Sequence, residues 1–147
     1  MSKNNLIVDK ARESYRKYRK PTSSQKTGNA QARDVEAKWS SSLKHAKRYE
    51  PQVRVLDRKA IDFVDTIGHS AFELKMSGKN PEHEFYKDIF KVLIYNQNQT
   101  QKRNRLKKLV FLTEKKGIVR LSSKFPQAVV DLLKNLHALD VEFVPLD

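Results

Sequence analysis

The chain has 147 residues, of which 30 are Lys or Arg and 17 are Asp or Glu, giving a formal net charge of +13. This length suits one domain, the absence of Cys excludes disulfides and thiol chemistry, and no apolar run is long enough to span a membrane or form a signal peptide. We therefore expect a cytoplasmic (intracellular) protein with no membrane partner, and a polyanion, most simply a nucleic acid, as its ligand.

The positive charge lies mainly at the two ends of the sequence. Residues 1–60 carry a net charge of +10 and residues 102–147 a net charge of +5, whereas residues 61–101 carry −2. Carboxylates inside a basic surround are typical of a site that holds a divalent cation beside a phosphate backbone.

The first third of the chain is predicted to be helical and basic. Residues 5–20 form an amphipathic helix, residues 21–30 a flexible linker, and residues 31–49 a second helix. We expect residues 1–30 to be a basic helical arm with its linker, and residues 31–147 to be a single α/β domain. Four basic side chains of the arm are candidate contacts to a nucleic-acid backbone, namely Arg12, Arg16, Lys17 and Lys20.

Three strands are predicted next, because apolar and polar residues alternate there in short runs. They span roughly residues 52–57, 60–66 and 70–76, and Gly68 lies in the turn before the third strand. A helix follows over residues 81–95, preceded by Asn80 as its N-cap. Three lysines on and before this helix are further candidate contacts to the nucleic-acid backbone, namely Lys79, Lys87 and Lys91.

The last part of the chain is predicted to complete the sheet. It has a buried strand at 109–113, a turn at 114–117 with residues 118–121 pairing back onto that strand, a helix at about 125–138 and a closing strand at 141–144. The predicted fold class is therefore α/β, with a central mixed β-sheet flanked by helices.

Three polar residues of the predicted strands are candidates for catalysis: Asp62, Glu73 and Lys75. Glu73 and Lys75 are two residues apart and so share one face of a strand, and a hairpin through Gly68 brings the Asp62 carboxylate near them. Two carboxylates and a backbone carbonyl form an oxygen site suited to Mg²⁺, with Mn²⁺ as a substitute. Lys75 could then orient a water molecule or stabilise negative charge on phosphorus.

This arrangement resembles the PD-(D/E)xK nuclease superfamily, which includes restriction endonucleases and Holliday-junction resolvases. The residues that carry the resemblance are Asp62-x-Val64-Asp65-x-x-Gly68 and Glu73-Leu74-Lys75, with Ile61 where the family often has Pro. The pattern looks closest to the small homodimeric type II restriction enzymes. The resemblance implies a restriction-endonuclease-like fold, a metal ion on Asp62 and Glu73, Lys75 assisting the attacking water, DNA as substrate and a homodimer.

Other interpretations of these residues stay open at the level of sequence. Asp65 or Asp57 could replace Asp62 as a ligand, although an Asp beside a turn more often forms the turn. Glu36 could add a carboxylate, although a charge on a surface helix is the simpler interpretation. Glu73 and Lys75 could instead be an exposed pair, in which case the protein is a non-catalytic DNA- or RNA-binding protein with a basic surface, or a basic adaptor.

Overall fold

A computed structural model describes residues 5–18, 28–76, 81–124 and 127–147 of the chain. The elements follow one another as α1 (Asn5–Tyr18), α2 (Gly28–Ser42), β1 (Tyr49–Leu56), β2 (Lys59–Asp65), β3 (Ser70–Lys75), α3 (Pro81–Gln97), β4 (Lys108–Thr113), α4 (Lys115–Lys124), α5 (Gln127–His137) and β5 (Asp140–Pro145). Within these ranges, no helix has the length and apolar character needed to cross a membrane.

The five strands form one mixed sheet in the order β1-β2-β3-β4-β5. The pairs β1–β2 and β2–β3 are antiparallel, and the pairs β3–β4 and β4–β5 are parallel. Tight turns can join antiparallel strands, whereas parallel strands need a crossover, which α3 supplies before β4 and the α4–α5 pair supplies before β5. The predicted α/β class, with a mixed sheet between helices, is confirmed.

One face of the sheet packs against α1 and α2. Phe72 and Leu74 of β3 point to this side, where Trp39 of α2 is 1% exposed and meets the Phe63 ring edge-on at a centroid distance of 4.7 Å. The indole Nε1 of Trp39 also donates a hydrogen bond to the carbonyl of Ile7 at 2.9 Å. Helix α1 is therefore packed into the same core as the sheet, and the predicted helical arm is part of that packed unit.

The opposite face packs mainly against α3, with α4 and α5 beside it. Phe85 of α3 lies against Phe111 of β4 and Phe143 of β5, with ring centroids 5.3 and 5.1 Å apart. Because side chains alternate along a strand, Glu73 lies on this second face, between two residues that point to the first. The helix α3 consequently covers Glu73 and determines its surroundings.

The bounds of several elements differ from the sequence-based prediction, and α2 already begins at Gly28, within the predicted linker. Helix α2 ends at Ser42, earlier than predicted, and β1 already begins at Tyr49. The strand β1 can include Pro51 because it lies at the edge of the sheet. The prediction of a turn at 114–117 and a returning strand at 118–121 is wrong, since these residues lie in α4. Gly117, interpreted as a turn residue, instead lets the helix approach β4, since a Cβ there would lie 3.1 Å from the Thr113 hydroxyl oxygen.

The β2–β3 turn is held by the carboxylate of Asp65. Its Oδ1 accepts hydrogen bonds from the backbone N–H groups of Ile67 and Gly68 at 3.0 and 2.9 Å, and the Arg48 guanidinium donates to both oxygens at 3.1 and 2.6 Å. Asp65 is fully buried. These contacts occupy the carboxylate, so Asp65 is the turn former and not a competitor of Asp62. Asp57 likewise lies at the β1–β2 turn, with a φ of 36°.

Replacing Gly68 with Ala tests how tightly this turn is built. A Cβ at residue 68 would lie 2.5 Å from Oδ2 of Asp65, which Arg48 holds in place. We expect Gly68→Ala to lower the free energy of unfolding by about 1–3 kcal/mol in urea denaturation. Ile67→Ala, which shortens an exposed side chain of the same turn, should change it by less than about 0.5 kcal/mol. Equal stability of the two variants would contradict this description of the turn.

Candidate functional site

The predicted hairpin brings Asp62 and Glu73 to adjacent strands. The β2–β3 ladder pairs Phe63 with Phe72, which places Asp62 across from Glu73 at the next step. At that point the Oδ2 atom of Asp62 accepts a hydrogen bond from the backbone N–H of Leu74 at 3.0 Å. The Asp62 carboxylate is thereby fixed against β3, beside the residues that the sequence identified as its partners.

Glu73 is a fully buried carboxylate. The Lys91 ammonium lies 2.6 Å from its Oε1 atom, whereas Oε2 has no hydrogen-bond partner among the residues described. Burial raises the pKa of Glu73 well above its ordinary value, and the nearby charges of Asp62 and Asp88 raise it further. This carboxyl group therefore holds a proton more readily than an exposed Glu does, and its ionised form depends on nearby positive charge.

Lys91, on α3, is the group that faces Glu73. Its ammonium also lies 2.9 Å from Oδ1 of Asp88 and donates a hydrogen bond to the carbonyl of Ala60 at 2.9 Å. Burial alone would lower the pKa of Lys91, but the carboxylates of Glu73 and Asp88 outweigh it and raise the pKa to about 12. Lys91 is 6% exposed, which removes it from the candidate contacts to a nucleic-acid backbone.

Asp88 belongs to the cluster of charged side chains formed with Asp62, Glu73 and Lys91, and it was not among the predicted site residues. It is fully buried, and its Oδ2 atom has no hydrogen-bond partner in the described part of the chain. Burial raises the pKa of Asp88 in spite of the opposing charge of Lys91. Its position was detectable, because it follows Phe85 by three residues and precedes Val92 by four, on the buried stripe of α3.

Lys75 lies at the carboxyl end of β3, at the margin of the cluster. Its ammonium is 3.4 Å from Oε2 of Glu84, an oxygen that also pairs with Lys87 at 3.2 Å. Partial burial would lower the pKa of Lys75, but nearby carboxylates, Asp88 first and then Asp62, raise it. Lys75 is therefore a charged hydrogen-bond donor and not a base.

Glu36, on α2, approaches the cluster from the first face of the sheet. Its side chain is exposed, yet its pKa is raised, first by partial desolvation of the carboxylate and then by the charge of Asp62, against the opposing effect of Lys75. Glu36 thus joins the electrostatic environment of Asp62. The sequence analysis favoured a surface helix charge, and the structure shows a charge that is both on the surface and beside the site.

The donor set suits a hard divalent cation. Asp62, Glu73 and Asp88 supply carboxylate oxygens, of which Oε2 of Glu73 and Oδ2 of Asp88 are buried without a hydrogen-bond partner in the described ranges. Carboxylate oxygens of this kind bind Mg²⁺ or Mn²⁺. In the same ranges, however, no three acidic or His side chains form a ready-made metal-binding group. The Lys91 ammonium lies within 3 Å of both Glu73 and Asp88 and is the cation that these two carboxylates contact in this structure.

The other predicted nucleic-acid contacts lie on two surfaces. Arg16 and Lys17 are exposed in the last turns of α1, and Lys87 is exposed on α3. Arg12 is only partly exposed, because its Nε atom donates to the carbonyl of Pro145 at 3.0 Å. The remaining two candidates, Lys20 and Lys79, lie outside the described residues.

Comparison with protein-family models, with curated proteins and with solved structures found no match to this chain.

Crowding of carboxylates leads to a prediction about stability. Asp62→Asn keeps an oxygen that can accept the Leu74 hydrogen bond, but it removes a charge that raises the pKa of Glu73. In metal-free buffer we expect this variant to be more stable than wild type by about 0.5–1 kcal/mol. Asp131→Asn, an exposed change on α5, should leave stability within about 0.5 kcal/mol. Thermal denaturation in EDTA measures both, and a clear loss of stability in Asp62→Asn would contradict the electrostatic argument.

Proposed function

We propose that this protein is a Mg²⁺-dependent endodeoxyribonuclease of the restriction-endonuclease-like fold, in which Mn²⁺ can replace Mg²⁺. The observation that carries the proposal is the fully buried Glu73, whose Oε2 atom lacks a hydrogen-bond partner among the described residues while Asp62 lies across the strand pair. Burying a carboxylate costs free energy unless a counter-charge or a metal ion compensates its charge. Residues with perturbed pKa values are enriched at functional sites.

The roles of the three predicted residues follow from their positions. Asp62 and Glu73 would hold the metal ion, and Asp88 adds negative charge behind them. When bound, Mg²⁺ supplies Lewis acidity and makes a water molecule more acidic. Hydrolysis forms one P–O bond to the oxygen of that water and breaks one ester P–O bond, and the proton lost by the water ends on the leaving oxygen or in solvent.

Lys75 is suited to stabilising charge in this reaction. Its ammonium stays protonated because the neighbouring carboxylates raise its pKa. It can therefore donate a hydrogen bond to the attacking water or to a phosphate oxygen on which negative charge develops. Glu84, which contacts the Lys75 ammonium at 3.4 Å, keeps it beside β3 in the absence of substrate.

The proposed DNA surface is the edge at which the parallel strands end. Lys75, Thr113 and Pro145 are paired in register across β3, β4 and β5, so their carboxyl ends lie side by side. Arg12 donates to the carbonyl of Pro145, which brings α1 to this edge. Arg16 follows Arg12 by one helical turn and is exposed, so it extends positive charge beyond the edge. Cutting both strands of a duplex would require a second copy of this single site, hence a homodimer.

A non-catalytic DNA- or RNA-binding protein is the second candidate. The specific observation in its favour is the Lys91 ammonium, which already neutralises Glu73 and Asp88 within the protein. In this case the cluster stabilises the fold and the basic surface alone binds the nucleic acid. The two functions differ in whether phosphodiester bonds are broken.

Nicking of supercoiled plasmid DNA in Mg²⁺ distinguishes the nuclease from the non-catalytic binding protein. We expect nicking by wild type, and a loss of about 10³-fold or more in Asp62→Asn and Glu73→Gln, because each removes a negative oxygen ligand. Lys75→Met should lose about 10²-fold or more. Asp57→Asn, which changes an acid in the β1–β2 turn, should nick at the wild-type rate. A wild type without nicking, or variants that nick as well as wild type, would contradict the proposal.

The same proteins should be tested for DNA binding with Ca²⁺ in place of Mg²⁺. The Asp62 and Glu73 variants should bind no more weakly than wild type, since each removes a negative charge that repels the phosphate backbone and leaves the basic side chains of the surface unchanged. Arg16→Ala combined with Lys17→Ala should weaken binding and lower the slope of log K against log salt concentration by about 2, as expected for two phosphate contacts. Gel shifts without any cleavage support the second candidate.

A further inference from the structure

We infer that the ammonium of Lys91 occupies the candidate metal centre in place of a metal ion. Lys91 holds Glu73 and Asp88 in position before a divalent cation binds, and it weakens the binding of that cation. The inference rests on the proposed function and assigns a role to a residue that the catalytic set of Asp62, Glu73 and Lys75 does not include. Lys91 is a positioning residue in this account, since its ammonium contacts other protein groups.

The Lys91 ammonium has an oxygen for each of its three N–H groups. Its ammonium has three N–H donors, and three oxygens lie within 3 Å: Oε1 of Glu73, Oδ1 of Asp88 and the carbonyl of Ala60. The groups come from β3, α3 and β2, so one side chain ties together three elements of the site. Lysine is rarely this buried unless its charge is compensated within the protein.

Glu73 and Asp88 each have a second carboxylate oxygen that does not face the Lys91 ammonium. All four carboxylate oxygens of Glu73 and Asp88 are buried without a hydrogen-bond partner in the described ranges. One oxygen of each carboxylate forms an ion pair with the ammonium, which leaves Oε2 of Glu73 and Oδ2 of Asp88. If Lys91 were a purely structural partner, the remaining oxygens would be expected to find donors, because unsatisfied buried polar atoms are rare in folded proteins. The arrangement is half satisfied, as expected of a site that accepts a second positive charge.

Other charged side chains surround the group formed by Lys91, Glu73 and Asp88. Asp62 on β2 and Glu36 on α2 add negative charge, whereas Lys75 on β3 adds positive charge. Glu84 on α3 pairs with Lys75 and Lys87. A divalent cation on the uncovered oxygens would share Glu73 and Asp88 with the Lys91 ammonium. Like charges on the same carboxylates repel each other, so the ammonium lowers the affinity for the metal.

Lys91→Met tests this role, because Met keeps the length of the side chain and loses its charge. In metal-free buffer the variant should melt at a lower temperature than wild type, since two buried carboxylates lose their counter-ion. Its affinity for Ca²⁺, measured by isothermal titration calorimetry without DNA, should be at least about tenfold higher than that of wild type. Ca²⁺ should also raise its melting temperature by more than it raises that of wild type.

Two further variants complete the test. Lys134→Met removes one positive charge from an exposed position on α5 and should match wild type in Ca²⁺ affinity and in melting temperature. Lys91→Gln, which is neutral but can still donate to a carbonyl oxygen, should bind Ca²⁺ more tightly than wild type, as Lys91→Met does. If Lys91→Met is unfolded without metal, Ca²⁺ should restore its near-UV circular dichroism.

The outcomes distinguish this inference from the proposed function. If wild type binds Ca²⁺ but both neutral variants bind it equally or more weakly, Lys91 does not weaken metal binding and the inference is wrong while the metal centre stands. If saturating Ca²⁺ leaves both neutral variants unfolded, Lys91 is a structural residue and the inference is also wrong. If wild type itself shows neither binding heat nor a shift in melting temperature, the metal centre and the inference fail together.

Discussion

The structure around the candidate site depends on an opposite charge that compensates a buried acidic side chain. Glu73 lies on the face of β3 that α3 covers, and an ionised carboxylate there loses the hydration that it would have in water. The Lys91 ammonium compensates this loss at 2.6 Å, and it does so from the helix that closes the site. The packing of α3 on the sheet and the charge state of Glu73 are therefore linked, because displacing the helix would remove the compensating charge.

The same region contains two Asp residues whose surroundings differ. Burial raises the pKa values of Glu73, Asp88 and Glu36, and the negative charge of Asp62 raises them further. This crowding of carboxylates destabilises the charged, metal-free protein. By contrast Asp65, only three residues after Asp62, has its oxygens occupied by Arg48 and two backbone N–H groups. Asp65 thus stabilises the turn, whereas Asp62 accepts a hydrogen bond from the backbone N–H of Leu74 and is the proposed metal ligand.

Much of the central sheet could be predicted from the sequence. Alternating apolar residues and the turn at Gly68 predicted β2 and β3, and this hairpin places Asp62 next to Glu73 because strand pairing fixes which residues lie opposite. Helix α4 was not predicted, because Gly117 was interpreted as a turn residue. In the fold that glycine lies in the first turn of α4, where the absence of a Cβ lets the helix begin directly after β4, close to the side chain of Thr113.

The candidate site was only partly predictable for a similar reason. Asp88 and Lys91 lie along the buried stripe of α3, but a periodicity that counts apolar residues alone skips them, and their pairing depends on a strand far away in the sequence. Lys91 was consequently expected at the surface, whereas the fold buries it against Glu73. The basic surface of α1 was predictable from composition, but the core packing of the helix depends on its contact with Trp39.

The most direct test of the account is the position of Mn²⁺ in crystals of the protein, located from its anomalous scattering. The account predicts an ion bound between the strands β2 and β3, within about 2.5 Å of a carboxylate oxygen of Asp62 and of Glu73. Crystals soaked at saturating Mn²⁺ in which ions bind only at the outer surface, with the Lys91 ammonium unmoved between Glu73 and Asp88, would contradict it.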